Sequence, residues 1–329
     1  NSDGSSNQVI TNGIDLAGEG GLVWGKSRNL AEHSFLADSA RGKGSNNNFK
    51  YLRSGSTAIE QDIANRSLSS MNSNGFTFQG ADDQFNSSGN EYVYWTFRKA
   101  PKFFDIVTYT GNGVAGRTVS HNLGSVPGCI IVKATNNARS WAVYHRGTDS
   151  TAPEDYGLYL NENTNRSDDA QLWNDTAPTS TEFTVGTDGD TNVSGRTYVA
   201  YLFAHNDGDG EFGPDGDADI IKCGSYTGTG ASQAIDLGFE PQWVLIKNTT
   251  NSQSWAIIDS MRGFTVEGLN DEILTPNQNS AEAPDNRVFP TSSGFGVHTA
   301  DYRYNGSGSN YIYIAIRRPT AVPESATDV

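Results

Sequence analysis

The stretch Ser254–Gly263, SWAIIDSMRG, has two weaker copies upstream in the same chain. They are SWAVYHRG at 140–147 and SFLADSARG at 34–42. The tryptophan and the alternate aliphatic residues predict one core face of a β-strand, and Gly263 permits the positive φ of a turn. The chain therefore repeats a structural unit three times.

Further features repeat in the same order and at nearly the same spacing. Lys26, Lys133 and Lys247 each end an apolar run and lie 107 and 114 residues apart (133 − 26 and 247 − 133). The other matching groups are GFTFQG at 75–80, EFTVGT at 182–187 and GFGVHT at 294–299, then Ser-Gly pairs at 88, 194 and 307, then the aromatic runs YVYWTF, YVAYLF and YIYIAI. The shared order indicates tandem copies.

A period of about 110 residues is too long for a solenoid repeat and matches a small self-contained domain. Strand-like segments recur about every 10 to 15 residues within a copy, as in two-sheet sandwiches. We expect an all-β fold of three tandem, related antiparallel β-sandwich domains of jelly-roll or Greek-key kind. Their predicted boundaries are 1–102, 103–209 and 210–329, and the last range includes a C-terminal tail.

The first copy lacks the strand with which the others begin. That strand lies in FDIVTYTGNG, from Phe104, in the second copy and in DIIKCGSYTGTG, from Asp219, in the third. The first copy enters directly at GIDLAGEGGLVWGK, where Leu16 precedes Lys26 as Leu237 precedes Lys247. Either the chain belongs to a longer protein, or a neighbouring subunit donates the strand by β-augmentation.

Asp259 and Arg262 are spaced to pair at the turn before Gly263, and Asp38 and Arg41 repeat the arrangement. The middle copy has His145 and two fewer residues. We expect a structural pair rather than a catalytic one, because a catalytic role also needs a base, an orienting group and a cleft.

The composition restricts the partners. Only 35% of the 329 residues are hydrophobic, but 6 Trp, 14 Tyr and 15 Phe argue against disorder. A net charge of −15 makes nucleic acid an improbable partner, since binding phosphates requires excess Lys and Arg. Apolar runs are too short for membrane insertion. Cys129 and Cys223 are expected to be free buried thiols, with a disulfide as the weaker alternative.

Several sequence motifs resemble those of a known group of proteins. YTGNG, HNLGSVPGCIIVK, GFEPQWVLIKN, SWAIIDSMRG and YIYIAIRRP resemble the repeat modules of tail-fibre and other virion surface proteins of marine bacteriophages, of the cyanophage and pelagiphage kind. The resemblance covers nearly the whole chain. It implies β-rich modules in a homo-oligomer, with a trimer favoured, together with other virion proteins at the virion surface. The implied role is host attachment or particle decoration, with a host-surface glycan as a further partner.

The acidic stretch HNDGDGEFGPDGDAD between the second and third copies is a calcium candidate. Alternating carboxylates separated by glycine are suited to a hard cation, although the pattern is not an EF-hand. The candidate metal ligands are Asp207, Asp209, Glu211, Asp215 and Asp217. A solvated acidic linker is the alternative, and no other cofactor is expected.

Trp173, Tyr302 and Tyr304 are candidate glycan-binding residues. Exposed aromatic rings in loops stack on sugars, and the alternative is that each ring packs against a neighbouring copy. Nucleophile elbows, Walker loops, dinucleotide fingerprints and zinc-ligand spacings are not found in the sequence, so we expect no enzyme, with a polysaccharide-degrading activity as the least favoured class. The favoured function is a phage virion structural protein, and the alternative is a secreted carbohydrate-binding or adhesin module with calcium dependence.

Overall fold

The computed structural model describes residues 3–5, 7–265, 271–298 and 300–319. Within this part of the chain the regular structure is almost entirely β-strand, with one four-residue α-helix, α1 (Ala170–Trp173), and two three-residue 3-10 helices at Pro153–Asp155 and Ser260–Arg262. The paired strands are antiparallel. The prediction of an all-β fold is confirmed. Among the same residues no helix has the length and apolarity to cross a membrane.

The first segment, residues 1–102, forms two sheets. Its strands are β1 (Gln8–Thr11), β2 (Gly21–Ser27), β3 (Phe35–Asp38), β4 (Tyr51–Arg53), β5 (Leu68–Asn72), β6 (Gly75–Phe78) and β7 (Tyr92–Arg98). The large sheet has the order β4-β3-β2-β7, and the small sheet has the order β1-β6-β5.

The second segment, residues 103–209, also forms a large and a small sheet. Its strands are β8 (Phe104–Thr110), β9 (Arg117–Ser120), β10 (Cys129–Ala134), β11 (Trp141–His145), β12 (Tyr156–Tyr159), β13 (Ser167–Asp168), β14 (Glu182–Val185) and β15 (Thr197–Phe203). The large sheet has the order β13-β12-β11-β10-β15-β8, and β14 pairs with β9 in the small sheet.

The third segment begins at residue 210, and residues 320–329, at the end of the range predicted to include a C-terminal tail, lie outside the described residues. Its strands are β16 (Ile221–Thr227), β17 (Gln233–Asp236), β18 (Pro241–Asn248), β19 (Ala256–Asp259), β20 (Glu272–Ile273), β21 (Ala283–Pro284), β22 (Val288–Thr291), β23 (Gly294–Val297) and β24 (Asn310–Arg317). The sheets have the orders β16-β24-β18-β19, β17-β23-β22 and β20-β21.

Apolar side chains fill the space between the large and small sheets of a segment. In the first segment Val23 and Phe35 of the large sheet share a buried cluster with Phe76 and Phe78 of the small sheet. The third segment has a matching cluster that includes Val244, Ile246, Phe295 and Val297. This arrangement gives the fold its β-sandwich character.

The opposite faces of the three large sheets meet in one shared core. Trp24 lies 5.9 Å from Trp95 of its own sheet and 6.5 Å from Trp243 of the third segment, measured between ring centroids. Phe97 contacts Trp243 at 5.6 Å and Phe203 of the second segment at 5.5 Å. One continuous buried cluster contains residues of all three segments, so the segments are not separate globules strung in series.

The aromatic strand that ends each copy packs on both faces, with one face in the core of its own segment and the other in the shared core. In β7, Trp95 and Phe97 belong to the shared core, whereas Tyr94 contacts Phe76 and Phe78 of its own segment at 5.5 and 5.1 Å. Successive side chains of a strand point to opposite faces, so an apolar residue at every position gives a strand two buried faces.

Candidate functional site

The three repeated lysines lie at the boundaries between segments. Lys26, Lys133 and Lys247 are fully buried near the ends of β2, β10 and β18. Each Nζ donates a hydrogen bond to a backbone carbonyl of another segment. The acceptors are Gln278 for Lys26 (3.1 Å), Thr57 for Lys133 (3.2 Å) and Asn163 for Lys247 (3.1 Å). The first segment thus contacts the third, the second contacts the first, and the third contacts the second, which closes a ring.

Burial governs the protonation of these lysines. It lowers the pKa of Lys26 and Lys133 to about 8 and that of Lys247 to about 7. Each Nζ bonds two carbonyls, and the second acceptors are Glu32, Ala134 and Gln253. An uncharged amine has two N–H groups, so the two carbonyls satisfy its donors without a buried charge.

Backbone hydrogen bonds connect the three segments in the same cyclic order as the lysines. The residue two positions after each lysine accepts an N–H from the adjoining segment. The three bonds are Glu60 N to Thr135 O at 2.8 Å, Arg166 N to Thr249 O at 3.1 Å and Glu282 N to Arg28 O at 2.7 Å. Because the three segments use the same donor and acceptor positions, the boundaries are equivalent in their main-chain contacts.

Indole groups add a further contact at two of the boundaries. Trp141 Nε1 donates to Arg53 O at 3.1 Å, and Trp255 Nε1 donates to Tyr159 O at 3.0 Å. The first segment has Phe35 at the corresponding position, which has no polar atom to donate. The repeated phrase at 34–42, 140–147 and 254–263 therefore belongs to the boundaries as well as to the cores.

The predicted turn pairs are confirmed. Asp38 Oδ2 lies 2.5 Å from Arg41 Nε, and Asp259 Oδ2 lies 2.7 Å from Arg262 Nε. Both pairs are buried, and Gly42 and Gly263 follow them with φ of 63° and 104°. The glycines are required because a side chain is strained at positive φ.

A neighbouring segment completes each turn. Tyr201 Oη donates to Asp38 Oδ2 at 2.8 Å, and Trp95 Nε1 donates to Asp259 Oδ2 at 3.0 Å. In the middle copy, His145 Nε2 lies 3.0 Å from Tyr313 O. These bonds follow the same cyclic order as the lysines. The carboxylates are engaged by arginine, tyrosine and tryptophan, so their arrangement holds the segments together.

His145 is buried in its neutral form. Burial lowers the pKa of His145 to about 3. Its Nδ1 accepts the N–H of Gly147 at 3.0 Å, so the remaining ring proton is on Nε2 and is donated to Tyr313 O. This histidine replaces the Asp–Arg pair with a single neutral group that bridges the second and third segments.

The five predicted metal ligands are all exposed. Asp207 N donates to Asp209 Oδ1 at 3.0 Å, and Glu211 Oε1 lies 2.7 Å from Lys102 Nζ. Asp215 and Asp217 lie on the wall of a cleft. In the part of the chain that the structure describes, no group of three or more His, Cys, Asp or Glu could hold a metal ion. The calcium site stays a prediction.

The expected exposure of the glycan candidates is wrong for two of the three residues. Trp173 ends α1 and is 2% exposed, packed edge-on against Tyr144 at 6.0 Å. Tyr304 is fully buried, and its hydroxyl donates to Asp285 Oδ2 at 2.9 Å. Both rings pack within their own segments. Tyr302 is 61% exposed, as expected of a glycan-binding residue.

A cleft of about 940 Å³ lies beside β7. Its walls include Thr96 and Arg98 of β7, the acidic residues Asp215 and Asp217, and Arg317 at the end of β24. Of its lining residues, only Asp215 and Asp217 were predicted from the sequence to bind a ligand. The missing first strand is the signal that points to it, because β7 is the strand beside which that strand would lie.

Cys129 and Cys223 are free and buried, as predicted. Cys223 Sγ donates to Ala204 O at 3.3 Å, and burial raises the pKa of both thiols.

Comparison with known families gives one match. The model of a family described as a domain of unknown function (DUF7483) matches residues 1–319. No curated protein and no solved structure matches the chain.

Proposed function

The chain belongs to the DUF7483 family, and we propose that it is a structural module of a bacteriophage virion in which three related β-sandwich domains form one rigid, closed body. The proposed domains are the three segments defined above, each with a large and a small antiparallel sheet. The role is host attachment or particle decoration at the virion surface, as a tail-fibre component or a component of the capsid or tail surface.

The observation that carries the structural part is the ring of equivalent contacts. Lys26, Lys133 and Lys247 each donate one hydrogen bond to a carbonyl of their own segment and one to a carbonyl across a boundary. Buried contacts that recur at equivalent positions fix the relative orientation of the domains. A body of this kind serves as a rigid spacer or platform, which is what a virion surface requires of a repeated module.

The virion part rests on the resemblance of the repeat motifs to marine phage fibre and surface modules. We propose a structural rather than a catalytic role, supported by the way in which the buried titratable groups at the boundaries are engaged in hydrogen bonds. Repeated modules on an oligomer also raise avidity without a single strong site.

Immunogold electron microscopy tests the virion assignment. An antibody against the chain is applied to purified phage particles whose genome carries the coding sequence. Label on the tail or capsid supports the proposal. Purified particles without the chain, from a lysate that contains it, would refute the proposal.

The homotrimer is tested separately by light scattering. A trimer has a mass of about 106 kDa (3 × 35.4 kDa), and a single chain has a mass of 35.4 kDa. The single-chain mass would remove the homotrimer from the proposal and leave the ring of three domains as the source of threefold geometry.

A carbohydrate-binding or adhesin module is the second candidate function, and the exposed ring of Tyr302 is the observation that favours it. A glycan array is probed with the chain, with Tyr302→Ala, and with the chain in a chelator. Binding that is lost in Tyr302→Ala supports this candidate, and further loss in chelator supports calcium dependence. Absence of binding to every glycan contradicts it.

A further inference from the structure

β7 has a neighbour on only one side. In the second segment β15 lies between β10 and β8, and in the third segment β24 lies between β18 and β16. β7 occupies the corresponding place in the first segment and pairs with β2 alone among the described strands. An edge of this kind offers unpaired N–H and C=O groups to another strand.

Main-chain contacts identify the residues that face the open side. Arg28 N donates to Glu91 O, and Lys99 N donates to Gly20 O, so the odd-numbered residues of this strand point their backbone groups toward β2. The even-numbered residues Tyr92, Tyr94, Thr96 and Arg98 therefore point their backbone groups toward the open side. The cleft of about 940 Å³ follows this side and includes Thr96 and Arg98 in its wall.

Side-chain burial differs in the same way. Tyr94 and Thr96 are half-buried, whereas their counterparts Ala200 and Leu202 in β15 are fully buried beside β8. The first segment thus has apolar surface at this edge that the equivalent strand covers in the other segments.

The turn that follows the missing strand is present. Gly4, Gly113 and Gly230 have φ of 66°, 72° and 74°, and a Cβ at each would approach the equivalent serines Ser88, Ser194 and Ser307. In each segment a buried asparagine donates a hydrogen bond through Nδ2 to the carbonyl of the residue that follows the turn glycine. These bonds are Asn86 to Ser5 at 3.2 Å, Asn192 to Val114 at 2.9 Å and Asn305 to Ala231 at 2.6 Å. Residues 3–5 therefore lie where the chain leaves β8 and β16 in the other segments.

We propose that the open edge of β7 binds an extended strand antiparallel to it, and that its occupant is the polypeptide joined directly to Asn1. A second copy of the chain is a poorer occupant, because its strand would have no covalent connection to the turn at residues 3–5 that the fold already provides. The connection makes pairing intramolecular, which raises its effective concentration.

The equivalent strands define the occupant's sequence pattern. In β8, Phe104 and Ile106 lie nine and seven residues before the turn glycine, Gly113. In β16, Ile221 and Cys223 lie nine and seven residues before the turn glycine, Gly230. The same spacing from Gly4 falls on the sixth and fourth residues upstream of Asn1. A strand bound here needs apolar residues at these two positions, because by equivalence with β8 and β16 their side chains would face Phe97 and Trp95 in the shared core.

The equivalent strands β8 and β16 each carry a tyrosine whose hydrogen bond is made in the first segment by Tyr94 of β7. Tyr109 and Tyr226 donate their hydroxyls to Thr191 O and Tyr304 O, each at 2.7 Å. The matching carbonyl in the first segment belongs to Phe85, and Tyr94 Oη donates to it at 2.6 Å. The occupant therefore needs the two apolar residues and does not need a tyrosine.

Hydrogen exchange on the full chain with a short extension tests the proposal. The extension is FDIVTY, the sequence of Phe104–Tyr109, fused directly ahead of Asn1, and the matched control is SDSVTY, which removes only the two apolar residues. The expected result is that FDIVTY slows exchange of the amides of Tyr94 and Thr96 about tenfold or more relative to the chain without an extension, and that SDSVTY does not.

Three outcomes overturn the proposal. The first is unchanged exchange with FDIVTY. The second is equal protection by SDSVTY, because the effect would then not depend on the core-facing residues. The third is concentration-dependent protection of the same amides in the chain without an extension, together with a dimeric mass, which would identify a second copy as the occupant. A natural sequence with charged residues four and six positions before Asn1 would also contradict the pattern.

Discussion

Raising the pH from 7 to 8.5 should stabilise the protein, because the three boundary lysines lose their protons in the folded state over this range while the unfolded chain keeps them. Their pKa values are lowered by burial to about 8 for Lys26 and Lys133 and about 7 for Lys247, from 10.5 in the unfolded chain. Between about pH 7 and 10.5 the unfolded chain therefore binds more protons than the folded protein. The free energy of unfolding rises with pH wherever the unfolded state binds more protons.

The size of the effect follows from the same values. At pH 8, Lys26 and Lys133 each take up about half a proton on unfolding, and Lys247 takes up about 0.9 proton. The total of about two protons corresponds to a rise of about 2 to 3 kcal/mol per pH unit near pH 8. The range stops at pH 8.5, because the two cysteines of the unfolded chain have a pKa of about 8.5 and their ionisation increasingly offsets the rise near that pH.

Urea unfolding followed by tryptophan fluorescence at pH 7.0, 7.5, 8.0 and 8.5 measures this slope. Lys247→Met keeps an apolar stem and should reduce the slope at pH 8 by about half, since it removes nearly one of about two protons. Lys43→Met, at an exposed lysine, is the control and should leave the slope unchanged. A free energy of unfolding that stays flat or falls over this range would refute the reasoning, as would an unchanged slope in Lys247→Met.

Three further results are expected. Tyr201→Phe removes the hydroxyl that donates to the buried Asp38 carboxylate and should cost about 1.5 to 3 kcal/mol in urea unfolding, and a loss below about 0.5 kcal/mol would contradict this role. Acid should destabilise the protein as the pH falls from about 6.5 toward about 3, because His145 is neutral in the fold and charged in the unfolded chain. His145→Gln should weaken that dependence, and an unchanged pH profile in this variant would exclude His145 as its source. Cys129 and Cys223 should react with a thiol reagent only after urea is added, and rapid reaction of the native protein would show that they are not buried.

The repeat register predicted the strands and the turns well, because both depend on local sequence. The pairs Asp38–Arg41 and Asp259–Arg262 are found where their spacing from a glycine indicated. The runs YVYWTF, YVAYLF and YIYIAI have apolar or aromatic residues at nearly every position, which gives the final strand of each copy two apolar faces. This pattern could not indicate what covers the second face, since Trp95 would be equally apolar against a subunit or against another segment of its own chain.

The candidate sites were less predictable, because exposure depends on packing between distant residues. Trp173 and Tyr304 have mostly polar neighbours in the sequence, yet both side chains are buried within their own segments. In the acidic loop the exposure was predictable from the sequence, but the contacts were not. Its carboxylates are exposed as expected of a loop, but Lys102 of the preceding segment binds Glu211, a contact that spacing within the loop does not encode.

The closure of the first segment onto the third has a consequence for how the protein is made. The bond from Lys26 to Gln278 joins residues 252 positions apart, and Arg28 and Glu282 form an ion pair at the same boundary. Contacts of such long range form late, and in a chain emerging from the ribosome this boundary stays open until the third segment has been synthesised. Truncation before residue 278 removes the acceptor of Lys26 and the ion-pair partner of Arg28, and so prevents the ring from closing.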